Sequence, residues 1–351
     1  MQRIISGIQQ VGIGVTDADK AFDWYKKVFG MDVVVFNDEA TANLMTRYTG
    51  DKAHNRKAIL ALNMRGGGGF EIWQYTSRTP SAPPVLPVMG DLGIFIVKMK
   101  CVNVHQVYEH MQQQDVELLT TVQKHVIDGY HFFLKDPFGN IFEVMECGIC
   151  FSKKYGIRGG VSGVTVGVSD MDASVKFYTQ VLGYDKVLYK GEDTFSDLKG
   201  IPGGDEKCNR VILTHSNIRR GAFAKLFGKT YIELVHVPGK VASKIFDNRF
   251  WGDLGFIHVC FDINGMDSHE ELCYNHGHPL TVNSKNSFPM GKAAGHFAYN
   301  EDPDGTLIEY VETHKVPILK KLGWYLDLKK RNPEKYLPDW MVGCLRFSRV
   351  K

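Results

Sequence analysis

The chain has 351 residues, 44% of them hydrophobic and 23% charged, which is ordinary for a soluble globular protein of two or three domains. Its formal net charge of +3 is too small and too dispersed to predict a nucleic-acid partner. The sequence has neither a run of about 18 apolar residues nor an N-terminal signal, so we expect a cytoplasmic protein without a membrane partner. Seven scattered cysteines do not form a disulfide framework.

Two stretches of the chain repeat the same order of predicted elements. Residues 8–15 alternate in polarity as a β-strand does, and an Asp cap, helical spacing of apolar residues and a glycine at Gly30 follow. Residues 161–168 begin the same order again, which ends at Gly183. Three further strand-like runs follow each helix: 33–36, 58–64 and 70–75, then 186–189, 210–213 and 230–237. Each copy therefore predicts a βαβββ module.

Two more copies begin with the letters Asp-Leu-Gly. Their first strands are predicted at residues 91–99 and 253–261, and weaker helical patterns follow at 103–113 and 266–275. Both copies then contain an Asp-Pro-x-Gly turn and a final strand with a glutamate among apolar residues. The sequence thus predicts four βαβββ modules in one chain.

Four glutamates occupy the equivalent position in the last strand of each module: Glu71, Glu143, Glu233 and Glu309. An unpaired buried charge costs several kcal/mol, so a glutamate in an apolar strand should have a partner. A glutamate that faces water from an edge strand would explain one such module, but it explains all four modules less readily. His258 stands alone in an apolar strand, where a histidine is more often a hydrogen-bonded core residue, but the repeated carboxylates favour a ligand.

Proline-rich and irregular linkers separate the modules. The predicted modules are 1–80 and 88–150, which form the first pair (1–150), and 158–240 and 250–315, which form the second pair (158–315). A basic, aromatic tail follows at 316–351. We expect the tail to be partly helical and to pack on the modules or on a partner chain through Trp324 and Trp340.

The repeats, the turns and the four glutamates resemble the vicinal oxygen chelate superfamily over roughly residues 5–314. Its members include glyoxalase I, methylmalonyl-CoA epimerase, extradiol ring-cleaving dioxygenases and bleomycin-binding proteins. The resemblance implies an α+β fold in which four βαβββ modules form two cup-shaped, mixed eight-stranded sheets with the helices outside. It also implies a divalent metal ion held by the first and last strands of two paired modules.

The family's ligand positions can be carried over to this sequence. The first-strand positions are Gln10, Ile96, Gly163 and His258. Pairing the modules in chain order leaves two incomplete sites, of which the second comprises Glu233, His258 and Glu309. Pairing the first module with the fourth resembles the single-chain double glyoxalases and gives the set that glyoxalase I uses: Gln10, Glu71, His258 and Glu309. We expect this swapped pairing, which leaves the other sheet without first-strand ligands.

The implied ligand set predicts an enzyme with a small-molecule substrate. One divalent ion (Zn, Ni, Co, Mn or Fe), bound by three oxygens and one imidazole, would keep two positions for substrate oxygens. Such an ion polarises a carbonyl, and Glu71 and Glu309 are the expected catalytic groups that move a proton. We therefore expect a glyoxalase-like lyase or an epimerase/isomerase that acts on a small thioester or ketoaldehyde, as a monomer or homodimer.

Two other functions stay open. An extradiol dioxygenase of this superfamily needs two histidines and a glutamate, and Gly163 occupies the first histidine position. His215 or His236 would have to reach the site from neighbouring strands, and we expect His236 to share the face of Glu233. A metal-free binding protein would hold its small molecule without an ion, and a chelator would not weaken binding.

Overall fold

The computed structural model of the chain describes residues 3–148, 150–285, 288–290, 293–319 and 324–350. Within these residues the four modules follow one another as the repeats predicted. Their predicted first strands and helices are present, with bounds that differ by a few residues. The α+β fold class is therefore confirmed.

Each module contributes its strands and one long helix. The first comprises β1 (Ile4–Gly14), α1 (Ala18–Phe29), β2 (Val33–Thr41), β3 (Asn55–Leu62) and β4 (Gly69–Tyr75). The second comprises β5 (Gly93–Cys101), α2 (Val104–Gln112), β6 (Glu117–Leu118), β7 (Gln123–Lys124), β8 (Tyr130–Lys135) and β9 (Ile141–Glu146). The third comprises β10 (Arg158–Gly167), α3 (Met171–Gln180), β11 (Lys186–Asp193), β12 (Cys208–Thr214), α4 (Ala224–Phe227) and β13 (Tyr231–His236). The fourth comprises β14 (Gly255–Asn264), α5 (Met266–Asn275), β15 (Val282–Asn283), β16 (Phe288–Met290), β17 (Ala293–Glu301) and β18 (Leu307–Thr313).

The strands form two large sheets, and each sheet combines modules that are not paired in chain order. The first sheet joins modules one and four in the order β15-β17-β18-β14-β1-β4-β3-β2, with β16 beside β17. The second sheet joins modules two and three in the order β11-β12-β13-β10-β5-β9-β8-β6, with β7 beside β8. The described part of each sheet has nine strands rather than eight, because the second strand of each even-numbered module is replaced by two short strands. The arrangement is the swapped pairing.

Local sequence sets the ends of the helices. The Asp17 side chain accepts a hydrogen bond from the Lys20 amide at the start of α1, and Gly30 adopts a left-handed conformation with φ of 69° after its last turn. Asp170 caps α3 in the same way, by accepting from the Ala173 amide. None of the described helices has the length and apolar character needed to cross a membrane.

Two tyrosine–aspartate contacts link the sheets. The Tyr25 hydroxyl on α1 donates to Asp136 Oδ2 at 2.6 Å, and the Tyr178 hydroxyl on α3 donates to Asp302 Oδ2 at 3.0 Å. Each aspartate belongs to an Asp-Pro-x-Gly turn of the next module along the chain. One hydrophobic core includes residues of both sheets and of their four long helices, so the sheets pack together as one body.

The C-terminal tail packs on modules one and three, but Trp340 does not take part in this packing. It forms a hairpin of β19 (Lys315–Leu319) and β20 (Trp324–Asp327), and then α6 (Asp339–Gly343). Leu328, Leu337 and Val342 of the tail share a core cluster with residues of modules one and three. Trp340 is 59% exposed, so it does not pack on the modules, and Val342 is the buried residue of this short helix. Packing of Trp340 on a partner chain stays a prediction. The Trp324 side chain lies outside the described residues.

Candidate metal centre

The centre of the first sheet carries the four predicted ligand residues: Gln10, Glu71, His258 and Glu309. They lie on β1, β4, β14 and β18, four strands that are adjacent in the sheet. β1 and β14 run antiparallel, and each has a parallel last strand on its outer side. The swapped pairing therefore brings together side chains that are up to 299 positions apart.

The ligand atoms of these side chains are close to one another. His258 Nε2 lies 3.0 Å from Glu309 Oε2 and 3.5 Å from Glu71 Oε2. Gln10 Nε2 lies 3.3 Å from each of the same two carboxylate oxygens. Atoms bound to one ion at about 2.1 Å stand about 3.0–3.4 Å apart, so these separations fit a shared divalent ion.

The amide of Gln10 offers a second sign of a cation. Its Oε1 is buried and has no hydrogen-bond partner among the described residues, while its Nε2 faces the carboxylates. A half turn of the amide exchanges the two atoms and directs Oε1 to the same place as the carboxylate oxygens. An amide oxygen beside two carboxylates needs a cation between them, so the donor set fits a metal ion.

Neighbouring residues fix the position of His258. The Tyr299 hydroxyl lies 3.4 Å from its Nδ1, so Nε2 is the nitrogen that faces the carboxylates. The Trp251 indole is stacked on the same imidazole at a centroid separation of 6.4 Å. Gly12 lies directly beneath the ring, where a Cβ atom would stand only 2.4 Å from His258 Cε1. Sequence reasoning missed these supporting residues, because only the tertiary structure brings them to the histidine.

Burial and mutual charge shift the pKa values of this cluster. Burial raises the pKa of Glu71 to about 7, and the charge of Glu309 adds to the rise. Burial also raises the pKa of Glu309, but the positive charge of His258 outweighs it and the net shift is downward. Burial lowers the pKa of His258, yet its two carboxylate neighbours raise it more. The pKa values of the two carboxyl groups, Glu71 and Glu309, are thus shifted in opposite directions.

The equivalent place in the second sheet is occupied by a lysine. Ile96 and Gly163 stand at the first-strand positions and offer no ligand, as the sequence indicated. Lys98, two residues further along β5 and therefore on the same face as Ile96, pairs with Glu143 and lies 2.5 Å from Glu233 Oε2. The ammonium thus bridges the two last-strand glutamates.

A second internal cation completes this ion-pair network. Arg210 on β12 pairs with Glu233, and its Nη1 lies 2.7 Å from Asp197 Oδ2. Burial raises the pKa of Glu233, but Arg210 and Lys98 outweigh it and lower the value to about 2. Burial likewise opposes ionisation of Glu143, but Lys98 lowers its pKa well below the usual range. The sequence did contain a signal, since Lys98 and Lys100 interrupt the apolar residues of β5 and Arg210 precedes an apolar run in β12.

Two histidines also reach Glu143, although not the two that the sequence indicated. His131 Nδ1 lies 2.6 Å and His125 Nε2 3.2 Å from Glu143 Oε1, a trio close enough to share an ion. The other oxygen of Glu143 pairs with Lys98, so an ion bound here would lie next to a positive ammonium.

The prediction for His236 is wrong. It is the third residue after Glu233, so strand alternation turns it to the other face, where its Nδ1 lies 3.4 Å from Asn209 Nδ2. The His215 Nδ1 lies 2.8 Å from the backbone oxygen of nearby Asn217. Neither histidine reaches the glutamates from its strand.

Comparisons with known proteins agree with this fold. Residues 7–144 match the family model of the Glyoxalase/Bleomycin resistance protein/Dioxygenase superfamily. No protein with a curated description matches the chain.

Solved structures with a similar fold cover most of the chain. Glyoxalase I from Zea mays has a TM-score of 0.54 and 14% identity, over 89% of this chain and 92% of that one. A putative dioxygenase from Bacillus subtilis subsp. subtilis str. 168 has a TM-score of 0.57 and 11% identity, over 89% and 86% of the two chains. Identities this low show the fold alone. Residues 7–144 are thus similar in sequence to the Glyoxalase/Bleomycin resistance protein/Dioxygenase superfamily, and the two sheets of the chain have the vicinal oxygen chelate fold.

Proposed function

We propose that this protein is a metal-dependent glyoxalase-like lyase or an epimerase/isomerase that moves a proton next to the carbonyl of a small thioester or ketoaldehyde. One divalent ion (Zn, Ni, Co, Mn or Fe) is held in the first sheet by Gln10, Glu71, His258 and Glu309. The observation that carries the proposal is that two carboxylates, one side-chain amide and one imidazole meet within about one ion's coordination sphere.

Each ligand residue has a distinct part in this proposal. When bound, the ion supplies Lewis acidity towards the substrate carbonyl. Glu71 accepts a proton from the carbon next to that carbonyl and returns it. Glu309 lies on the other side of the two central strands, so the two catalytic carboxylates can serve opposite faces of that carbon. Aromatic residues around the cluster, including Trp73, exclude water and strengthen these charge interactions.

The extradiol dioxygenase is less well supported by the residues of the first sheet. Two histidines and one carboxylate at a single ion are typical of that class. Among the described residues, the first-sheet cluster includes His258 as its one histidine. The His125–His131–Glu143 trio of the second sheet has the right residue types, but Lys98 occupies its glutamate.

Metal analysis of purified variants tests the proposal. His258→Ala should abolish tight metal binding and Gln10→Ala should weaken it, because each removes one neutral ligand from the set. Glu309→Gln should lower metal content, whereas the matched change Glu143→Gln in the second sheet should leave it unchanged. Metal lost with Glu143→Gln and kept with Glu309→Gln would place the ion in the second sheet and contradict the proposal.

A substrate panel tests the reaction itself. The metal-loaded protein should catalyse exchange of solvent deuterium into a thioester or ketoaldehyde next to its carbonyl, and Glu71→Gln should suppress that exchange. Oxygen consumption with a catechol, without any such exchange, would instead support the dioxygenase. The far-UV circular dichroism of each variant should match that of the parent protein.

A further inference from the structure

A cavity lies at the junction between the two sheets, and its lining does not include the four proposed ligand residues. Its volume is about 470 Å³, within the range of small-molecule sites. The first residues of β5, β14 and β18 contribute to its lining, together with the linker that joins modules three and four. We call this cavity the junction pocket. Sites at such junctions commonly bind small molecules.

Aromatic residues form the walls of the junction pocket. Phe246, Phe250 and Trp251 come from the linker, and Phe256 comes from β14. All four are at least partly buried, so they present fixed, flat apolar surfaces rather than mobile side chains. Walls of this kind fit a planar, unsaturated ligand.

The polar groups of the junction pocket favour an anion. Arg47 and Lys244 are exposed at its lining, and neither forms an ion pair with any residue that the structure describes. Asp304, an acidic lining residue, already accepts a hydrogen bond from the Ser169 amide at 2.9 Å. With Arg249, the lining has three positive side chains and one negative side chain, so its net charge is positive.

Two buried donors also lack a partner within the described chain. They are the indole Nε1 of Trp251 and the guanidinium Nε of Arg249. The other nitrogens of Arg249 donate to backbone oxygens, including that of Leu254 at 2.8 Å, so its side chain is held in place. Trp251 is 7% exposed, and leaving its N–H without an acceptor would cost free energy.

We propose that the junction pocket binds a second small molecule, an aromatic carboxylic acid, with its ring between the aromatic walls and its carboxylate towards Arg47 and Lys244. The proposal is independent of the function assigned to the metal centre. Trp251 is the wall common to both places, since its ring also stacks on His258.

Calorimetric titration with 2-naphthoate, in the presence of a chelator, tests the proposal on the full chain. The neutral analogue 2-naphthalenemethanol should bind more weakly, because it lacks the carboxylate. The double variant Arg47→Gln/Lys244→Gln should weaken 2-naphthoate binding by about tenfold or more and leave the alcohol unchanged. Lys176→Gln, which neutralises an exposed lysine outside the pocket, should have no effect.

Two further variants distinguish the pocket from the metal centre. Phe250→Leu should weaken both ligands, since it removes an aromatic wall. Glu309→Gln should leave both affinities unchanged, because this residue does not line the pocket. The proposal is overturned if 2-naphthoate does not bind, if the double variant binds it as tightly as the parent, or if the chelator or Glu309→Gln abolishes binding.

Discussion

At the centre of each sheet, two last-strand glutamates approach each other across two central first strands. In the first sheet Gln10 and His258 stand between them, and their donor atoms leave room for an ion. In the second sheet the ammonium of Lys98 stands between them and contacts both carboxylates. The same fold therefore places different groups between its paired glutamates: an amide and an imidazole in the first sheet, and an ammonium in the second.

The pKa values show how far the internal cations change the chemistry. Burial raises the pKa of the glutamates in both sheets. In the first sheet, burial and the charge of Glu309 together raise the pKa of Glu71 to about 7. In the second sheet, Arg210 and Lys98 outweigh the effect of burial and lower the pKa of Glu233 to about 2. The pKa values of these two equivalent carboxylates are thus shifted in opposite directions, upward in the first sheet and downward in the second.

Removing the internal cation should have the largest effect on stability. Lys98→Met leaves Glu143 and Glu233 buried without their shared partner, so we expect the free energy of unfolding to fall by about 3–5 kcal/mol. Lys100→Met is the matched control, because Lys100 is buried on the same strand but donates to the backbone oxygen of Phe227. Its cost should be about 1 kcal/mol. Equal losses in urea denaturation would show that the glutamate pairing adds nothing.

Adding metal should stabilise the protein through the first sheet. A divalent ion at a hundredfold excess over its Kd should raise the free energy of unfolding by about 2.7 kcal/mol, because the folded state alone contains the assembled ligands. The gain should disappear in His258→Ala and persist in Glu143→Gln. Thermal denaturation with and without the ion measures it, and a gain retained in His258→Ala would contradict a first-sheet site.

A methyl group beneath His258 should disturb the first sheet alone. Gly12→Ala places a Cβ atom where the imidazole lies, so we expect weaker metal binding and a loss of about 1–3 kcal/mol in stability. Gly148→Ala is the control, since a Cβ there would have no atom within 4 Å. Metal affinity equal to that of the parent in Gly12→Ala would mean that the position of His258 does not matter.

The smallest expected effect is a pH dependence with opposite signs in the two sheets. The folded pKa of Glu71, about 7, lies above the unfolded value, so its contribution to metal-free stability is complete below about pH 4.3 and is lost as the pH rises through 7. Glu233 has a depressed pKa, so its contribution is present above about pH 4.3 and is lost as the pH falls towards 2.

Urea denaturation of metal-free protein between pH 4 and 8 measures the first of these effects. Glu71→Gln should reduce the decline in stability across that range, to which the raised pKa values of Asp262 and Asp302 also contribute. Metal affinity should change in the other direction and rise through about pH 7, because a protonated Glu71 is a poor ligand. A metal-free stability that rises with pH and is insensitive to Glu71→Gln would refute the assignment.

The sequence by itself determined the modules and the places of their glutamates. Alternating polarity, helical spacing, the caps at Asp17 and Asp170 and the Asp-Pro-x-Gly turns are local signals, and each acts within a few residues. Because all four modules have the same order of elements, equivalence between them placed Glu71, Glu143, Glu233 and Glu309 on last strands before any contact was known.

Only the tertiary structure decided which modules share a sheet. Chain-order and swapped pairings use the same strands, and the choice depends on which first strands meet edge to edge, as β1 and β14 do. For the same reason, the sequence did not predict the ion pairs of Lys98 or the exposure of Trp340. A charged residue in a strand, or an aromatic one in a tail, acquires its role from neighbours that are distant in the chain. Burial and opposing charge, which set the chemistry of both glutamate pairs, exist only once those neighbours have come together.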